Sequence, residues 1–150
     1  MSACHEAIYT AVEAIWSGDA NGLGNGVAEA KVRTGDFQRR GDKRKVAGVP
    51  AVIVDIQDQH DSSFDINGHE VLVTFNIISN RDRGFAVQNA IEAGIYAKYH
   101  QRELTATGWS LGRACRLGGS VQMPGDAERL HLAIRLLIHA KADTTYLEGG

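Results

Sequence analysis

The sequence predicts an α+β domain, a mostly antiparallel sheet with two helices packed on one face, in the order α-β-β-β-α-β-β. Three observations lead there. From Leu130 to Ala140 the even positions are Leu130, Leu132, Ile134, Leu136, Ile138 and Ala140, and the odd ones are His131, Ala133, Arg135, Leu137 and His139. A period of two sustained over that length marks a half-buried strand. Two other stretches, near the N-terminus and past residue 80, carry apolar residues at helical spacing. The strand-like segments between and after them complete the order, which suits helices laid on one side of a sheet.

The first helix is written by Ile8, Ala11, Val12, Ile15 and Trp16 on one stripe, with Ser2 able to cap its start and Gly18 just past its end. A glycine-rich connection, Gly18 to Gly26, follows. Strand-like sequence runs from Val27 to about Arg40, and Gly41-Asp42 offers a turn. A second strand covers Val49 to Gln57. Asp55 to Gly68 reads as a polar, acidic excursion closed by an Asn67-Gly68 hairpin turn. The third strand runs from Glu70 to Ile78, with Val71, Val73, Phe75 and Ile77 on one side. The second helix opens at Asn80-Arg81-Asp82-Arg83, with Asp82 or Asn80 as its cap, and fades around Glu103. Its stripe is Val87, Ala90, Ile91 and Ile95. A closing hairpin joins a strand over Trp109 to Gln122, a Met123-Pro124-Gly125-Asp126 turn and the alternating strand.

A length of 150 residues, 43% of them hydrophobic and 23% charged, supports one domain over residues 1–150 with a real core and a frayed tail from about 143. The net charge of −2 does not favour DNA or a membrane surface. The N-terminus lacks the basic and apolar regions of a secretory signal, and no apolar run approaches a membrane span. Cys4 and Cys115 are far apart and form no CxxC, so a disulfide framework is not expected and a reducing cytoplasm suits folding.

Catalytic patterns are weak. Gly22-x-Gly24-x-Gly26 follows a helix and leads into a strand, the reverse of a phosphate-cradling loop, and no GK[ST] is present. Asp19 and Asn21 begin a calcium-loop pattern, but Leu23 and Ala30 stand where ligands are needed. Gly108-Trp109-Ser110-Leu111-Gly112 matches G-x-S-x-G literally, yet an elbow needs a helix next, and Arg113 to Gly119 is poor helix material. Asp55, Asp58 and Asp61, with His60 and Asp65 nearby, could hold a divalent metal for phosphodiester hydrolysis, or form a solvated hairpin end. His131 and His139 lie roughly 26 Å apart along a strand, too far for one metal. No catalytic residue, metal ligand or cofactor is therefore assigned, and the chain is expected not to be an enzyme.

Charge is distributed unevenly. Arg39, Arg40, Lys43, Arg44 and Lys45 surround one acid, Asp42, whereas the segment from Asp55 to Glu70 holds Asp55, Asp58, Asp61, Asp65 and Glu70 and no lysine or arginine. Such patches can meet between identical subunits of a ring; a basic tip facing phosphates and two solvated loops are the other readings.

The order of elements, the strand Val49-Pro50-Ala51-Val52-Ile53-Val54, the strand Glu70 to Ile77 and the helix carrying Gln88-Asn89-Ala90-Ile91-Glu92 resemble the tail terminator and minor tail (tail-completion) proteins of long-tailed bacteriophages and related particles. The resemblance covers about Cys4 to Ala142. It implies a homohexameric ring on the last layer of the tail tube, stopping tube growth and docking the tail to the head-side connector or neck proteins. It implies no cofactor, no membrane, and genomic DNA passing through without sequence-specific binding. The place implied is the virion tail or neck, assembled in the bacterial host cytoplasm. On this reading the interface residues are Arg39, Arg40, Lys43, Arg44, Lys45, Asp55, Asp58, Asp61 and Asp65, and His131, Arg135 and His139 form a ring- or lumen-facing strand. A head-side neck adaptor is the alternative within virion assembly. A metal-dependent nuclease using Asp55, Asp58 and Asp61 is the alternative of another class.

Overall fold

A computed structural model describes residues 3–17, 32, 37–39, 50–61, 68–116 and 118–142. Helix α1 spans Ala3–Ser17. Strands β1 (Phe37–Arg39), β2 (Ala51–Asp61) and β3 (Gly68–Asn80) follow, then a single 3-10 turn (Arg81–Arg83) and helix α2 (Ala86–Tyr99). Strands β4 (Trp109–Leu111), β5 (Cys115–Arg116), β6 (Val121–Met123) and β7 (Arg129–Ala142) complete the chain. The α+β order expected from the sequence is the order observed. The sheet runs β1-β2-β3-β7, and β4, β5 and β6 pair in turn along the outer side of β7. Among the described residues, the β1–β2 pairing is parallel and the others are antiparallel.

Register follows burial. Val54 pairs with Phe75 and Phe75 with Ile134; Val52 pairs with Ile77 and Ile77 with Leu132. All of these join one core with Ile8, Val12 and Trp16 of α1 and Ile91, Ile95 and Tyr99 of α2. A one-residue slip would turn the whole set toward water, so the hydrophobic period specifies the pairing. The helices therefore share one face of the sheet. Tyr99 locks them together, its hydroxyl donating to the Val12 carbonyl at 2.8 Å while its ring packs 4.9 Å from Phe75. Burial pushes the Tyr99 phenol far above its ordinary pKa. Trp16 stacks on Phe37 at 4.6 Å, fastening β1 to α1.

Several sequence expectations are corrected. The acidic excursion begins later, because Asp55 to Asp61 continue β2 and pair with β3 up to the Asp61–His69 step. Neither Asn80 nor Asp82 caps α2. Its N-cap is Phe85, which makes no side-chain cap bond, and the chain first makes a 3-10 turn closed by Gly84 at φ 64°. The left-handed backbone there suits glycine. Helix α2 ends at Tyr99 rather than near Glu103, and Gln101 takes a positive φ of 60° as the chain reverses. The strand expected over Trp109 to Gln122 is three short strands along β7: the Gly112 amide still donates to the His139 carbonyl at 2.8 Å, but Arg113 and Ala114 turn to pair with residues 101–103, and Gly118-Gly119 separate β5 from β6. The proposed cap Ser2, the Gly18 to Gly26 loop and the tail from 143 lie outside the described residues, as does Asn67.

The turn into β7 is firmly built. The Asp126 carboxylate accepts from the Glu128 and Arg129 amides at 2.8 Å each, and these bonds hold its pKa below the usual carboxylate value. Arg81 donates to the Asp126 carbonyl at 2.9 Å, and its own amide donates to the Glu128 carbonyl. A Cβ at Gly125 would collide with the Arg129 carbonyl.

Candidate functional site

The face of the sheet opposite the helices is made by the odd positions of β7. His131 is half-buried, with its Nε2 2.8 Å from the Asn76 Oδ1. The Asn76 amide nitrogen donates to the Ile53 carbonyl at 3.2 Å, so its oxygen is the acceptor and the histidine Nε2 carries the proton. Arg135 sits opposite Thr74, which sits opposite Asp55. Its Nε is buried without a hydrogen-bond partner among the described residues. His139 is exposed. The three residues expected on one strand face do share it, strung along β7.

That face also carries apolar surface. Gln122 of β6 lies on the helix side, where its amide bonds Gln88 of α2 at 2.9 Å. Strand alternation therefore sets its neighbours Val121 and Met123 on the opposite side, beside Ala133 and His131. They are 43% and 38% exposed, a pair of large apolar side chains left toward solvent.

Of the expected interface residues, Arg39 is engaged within the chain. It pairs with Glu6 at 2.7 Å and lies 4.9 Å over the Tyr9 ring, tying β1 to α1. Arg40, Lys43, Arg44, Lys45 and Asp65 lie outside the described residues. Asp55, Asp58 and Asp61 are strung along β2 at three-residue steps, about 10 Å each on an extended chain. Among the described residues no three His, Cys, Asp or Glu side chains converge as metal ligands. Ser110 lies on β4, which pairs antiparallel with β7 and leads into β5, not into a helix.

Sequence reasoning missed a second basic surface. After α2 the chain doubles back, and residues 101–103 run beside 113–114. The Gln101 amide donates to the Ala114 carbonyl at 2.6 Å, the Ala114 amide to the Arg102 carbonyl at 3.2 Å, and Glu103 bridges Arg113. The Arg116 amide donates to the His100 Nδ1 at 3.1 Å, and the Arg116 guanidinium covers the Tyr96 ring at 4.4 Å. This ladder gathers Lys98, His100, Arg102, Arg113 and Arg116 at the outer edge of the sheet, with Glu92 and Glu103 as the nearby acids. Burial raises the Tyr96 pKa, opposed by the Arg116 charge. The signal was two dispersed pairs, Lys98/Arg102 and Arg113/Arg116, which only the chain reversal unites.

No family model and no curated protein sequence matches the chain. Among solved structures, a chain from the virion of a native gene transfer agent particle is similar, with TM-score 0.60 and 18% identity over 93% of this chain and 99% of that one. A second solved structure superposes with TM-score 0.64 at 12% identity, over 93% of this chain and 94% of its own. At these identities the likeness is one of fold, and it extends over almost the whole of each chain.

Proposed function

We propose that this chain is a structural component of a phage-like virion, forming a homohexameric ring at the head-proximal end of the tail tube. There it stops tube growth and docks the tail to the connector or neck proteins, while genomic DNA passes without sequence-specific binding. The observation that carries the reading is the end-to-end likeness to a chain of a gene transfer agent virion. The element order and the strand motifs that resemble tail terminators support the finer placement. The chain needs no cofactor and catalyses nothing in this role; it assembles in the host cytoplasm and resides in the particle. No helix of the described residues is long and apolar enough to cross a membrane.

Deleting the protein from a particle-producing cell tests the placement. Overgrown tails are the expected result. Tails of normal length that fail to attach would instead make the protein a head-side neck adaptor. Plasmid cleavage with magnesium or manganese, abolished in Asp58→Ala, would overturn the structural role in favour of a nuclease.

A further inference from the structure

We propose that neighbouring copies join by a knob and a socket on opposite faces of the sheet. Asp82 and Phe85, at the corner before α2, enter the open face of the next copy, where Arg135 takes the carboxylate and Val121 and Met123 take the ring. This rests on the ring reading above and names the contact that builds the ring.

The socket is defined by an arginine that its own chain leaves unsatisfied. Arg135 stands in the middle of the open face, between Ala133 and Leu137 along β7 and opposite Thr74 on β3. Its Nε is shut from solvent and has no acceptor among the described residues. A buried N–H of a charged group is costly to leave unpaired, so the position calls for an acceptor from outside. The guanidinium is approachable from the side between β5 and β6. A Cβ at Gly118 would lie 3.3 Å from its Nη2, and nothing lies within 4 Å of the place a Cβ would take at Gly119. Val121 sits opposite Ala133 and is a diagonal neighbour of Arg135, about 7–8 Å away, with Met123 beyond it opposite His131. The surface is one cation beside an apolar strip. Its match is a carboxylate beside an apolar side chain, since the guanidinium fork suits a carboxylate. The apolar strip favours a protein segment over a nucleic-acid backbone, whose interfaces are polar and wet.

Asp82 and Phe85 supply that combination. Their turn is anchored by Arg81, which donates to the Asp126 carbonyl from its side chain and to the Glu128 carbonyl from its amide. Asp82 is exposed and makes no hydrogen bond or ion pair among the described residues. Phe85, the N-cap of α2, is 56% exposed, more than any other large apolar side chain among the described residues. Phe, Met and Arg are residue types that enrich interfaces. The corner lies on the helix side of the sheet and the socket on the opposite side, so a copy cannot fill its own socket. A contact between unlike surfaces is heterologous and repeats until it closes a ring.

The test uses full-length protein, native mass and urea denaturation. Arg135→Glu and Asp82→Arg each set like charges face to face, and each alone should fall from the ring to the 16.2 kDa of one chain. Mixed in equal amounts, the two should restore rings of alternating composition, because every contact between unlike copies is then complementary. Recovery on mixing also proves that both variants fold. One chain carrying both reversals should form rings by itself. Phe85→Ser should raise the concentration at which rings dissociate and leave the urea midpoint of the single chain in place. Arg135→Met should lose the ring while that midpoint holds or rises, because an N–H without an acceptor is removed. A fall in the midpoint would instead make Arg135 a residue of the fold and overturn the proposal. Rings that survive either reversal, or two monomeric variants that do not rescue each other, would also overturn it. So would Arg135→Met that keeps its rings but loses salt-sensitive duplex binding shown by the unmodified protein, since the arginine would then be a phosphate contact. An unmodified chain that never exceeds one copy would end the ring reading and this contact with it, whereas rings that survive the reversals end the contact alone.

Discussion

Along β7, Ile134, Leu136 and Ile138 are closed from water beneath the helices, whereas His131, Arg135 and Leu137 on the opposite side keep part of their surface and His139 is exposed. One run of residues therefore makes two environments. On the helix side each position is surrounded by side chains of β3, α1 and α2, and close packing leaves little room for change. On the other side polar and apolar neighbours mix along the strands: His131 with Asn76, Arg135 beside Thr74, Leu137 beside Leu72. Stability is concentrated on the first side, and freedom to meet another molecule lies on the second and at the sheet edges.

The contrast can be broken most severely from the helix side. Phe75→Ala removes a ring packed on Tyr99 and leaves a cavity, and should cost about 3–5 kcal/mol, read as a fall in the urea midpoint. Ile134→Ala, next to it on β7, should cost about 2–5 kcal/mol by the same measurement. On the opposite side the largest effect should come from Asn76→Ala. It strips His131 and the Ile53 carbonyl of a partner in a part-buried setting, for about 1–3 kcal/mol.

Tyr99→Phe sharpens the comparison in another way. The lost bond to the Val12 carbonyl should cost about 1 kcal/mol near neutral pH. Because burial raises the native phenol pKa, the folded state keeps its proton as the unfolded chain ionises. That contribution is complete below the ordinary tyrosine pKa of about 10 and declines as pH rises beyond it. Stability of the unmodified protein should fall with pH above 10, and more gently in Tyr99→Phe. The smallest effect belongs to His139→Ala, expected within about 0.5 kcal/mol in the same denaturation assay.

Legibility followed the same division. The alternation from Leu130 to Ala140 declared β7 and its buried face, and Val71 to Ile77 declared β3, because burial of one side writes a period directly into the residues. Helix α2 was legible from Val87, Ala90, Ile91 and Ile95, but its start was not. Asn80 and Asp82 are good caps in isolation, yet the chain spends them on a 3-10 turn that brings Arg81 to the Asp126 turn. Asp55 to Asp61 looked like a loop because strand propensity disfavours aspartate; pairing with β3 overrides that preference. The strand broken at β4, β5 and β6 carries little alternation of its own, since its register is borrowed from β7. The acid-rich composition from Asp55 onward was visible in the sequence, whereas the basic ladder was invisible because its members come from two segments.

By itself the sequence determined the class of fold, the order of its elements and the side of each long strand that faces the core, because apolar burial imposes a period that no other arrangement satisfies. Tertiary structure decided where α2 begins, how the closing segment divides and which charges stand together. Those outcomes depend on contacts between residues distant in the chain, such as Gln101 with Ala114 and Arg81 with Asp126, and no local pattern encodes a meeting of that kind.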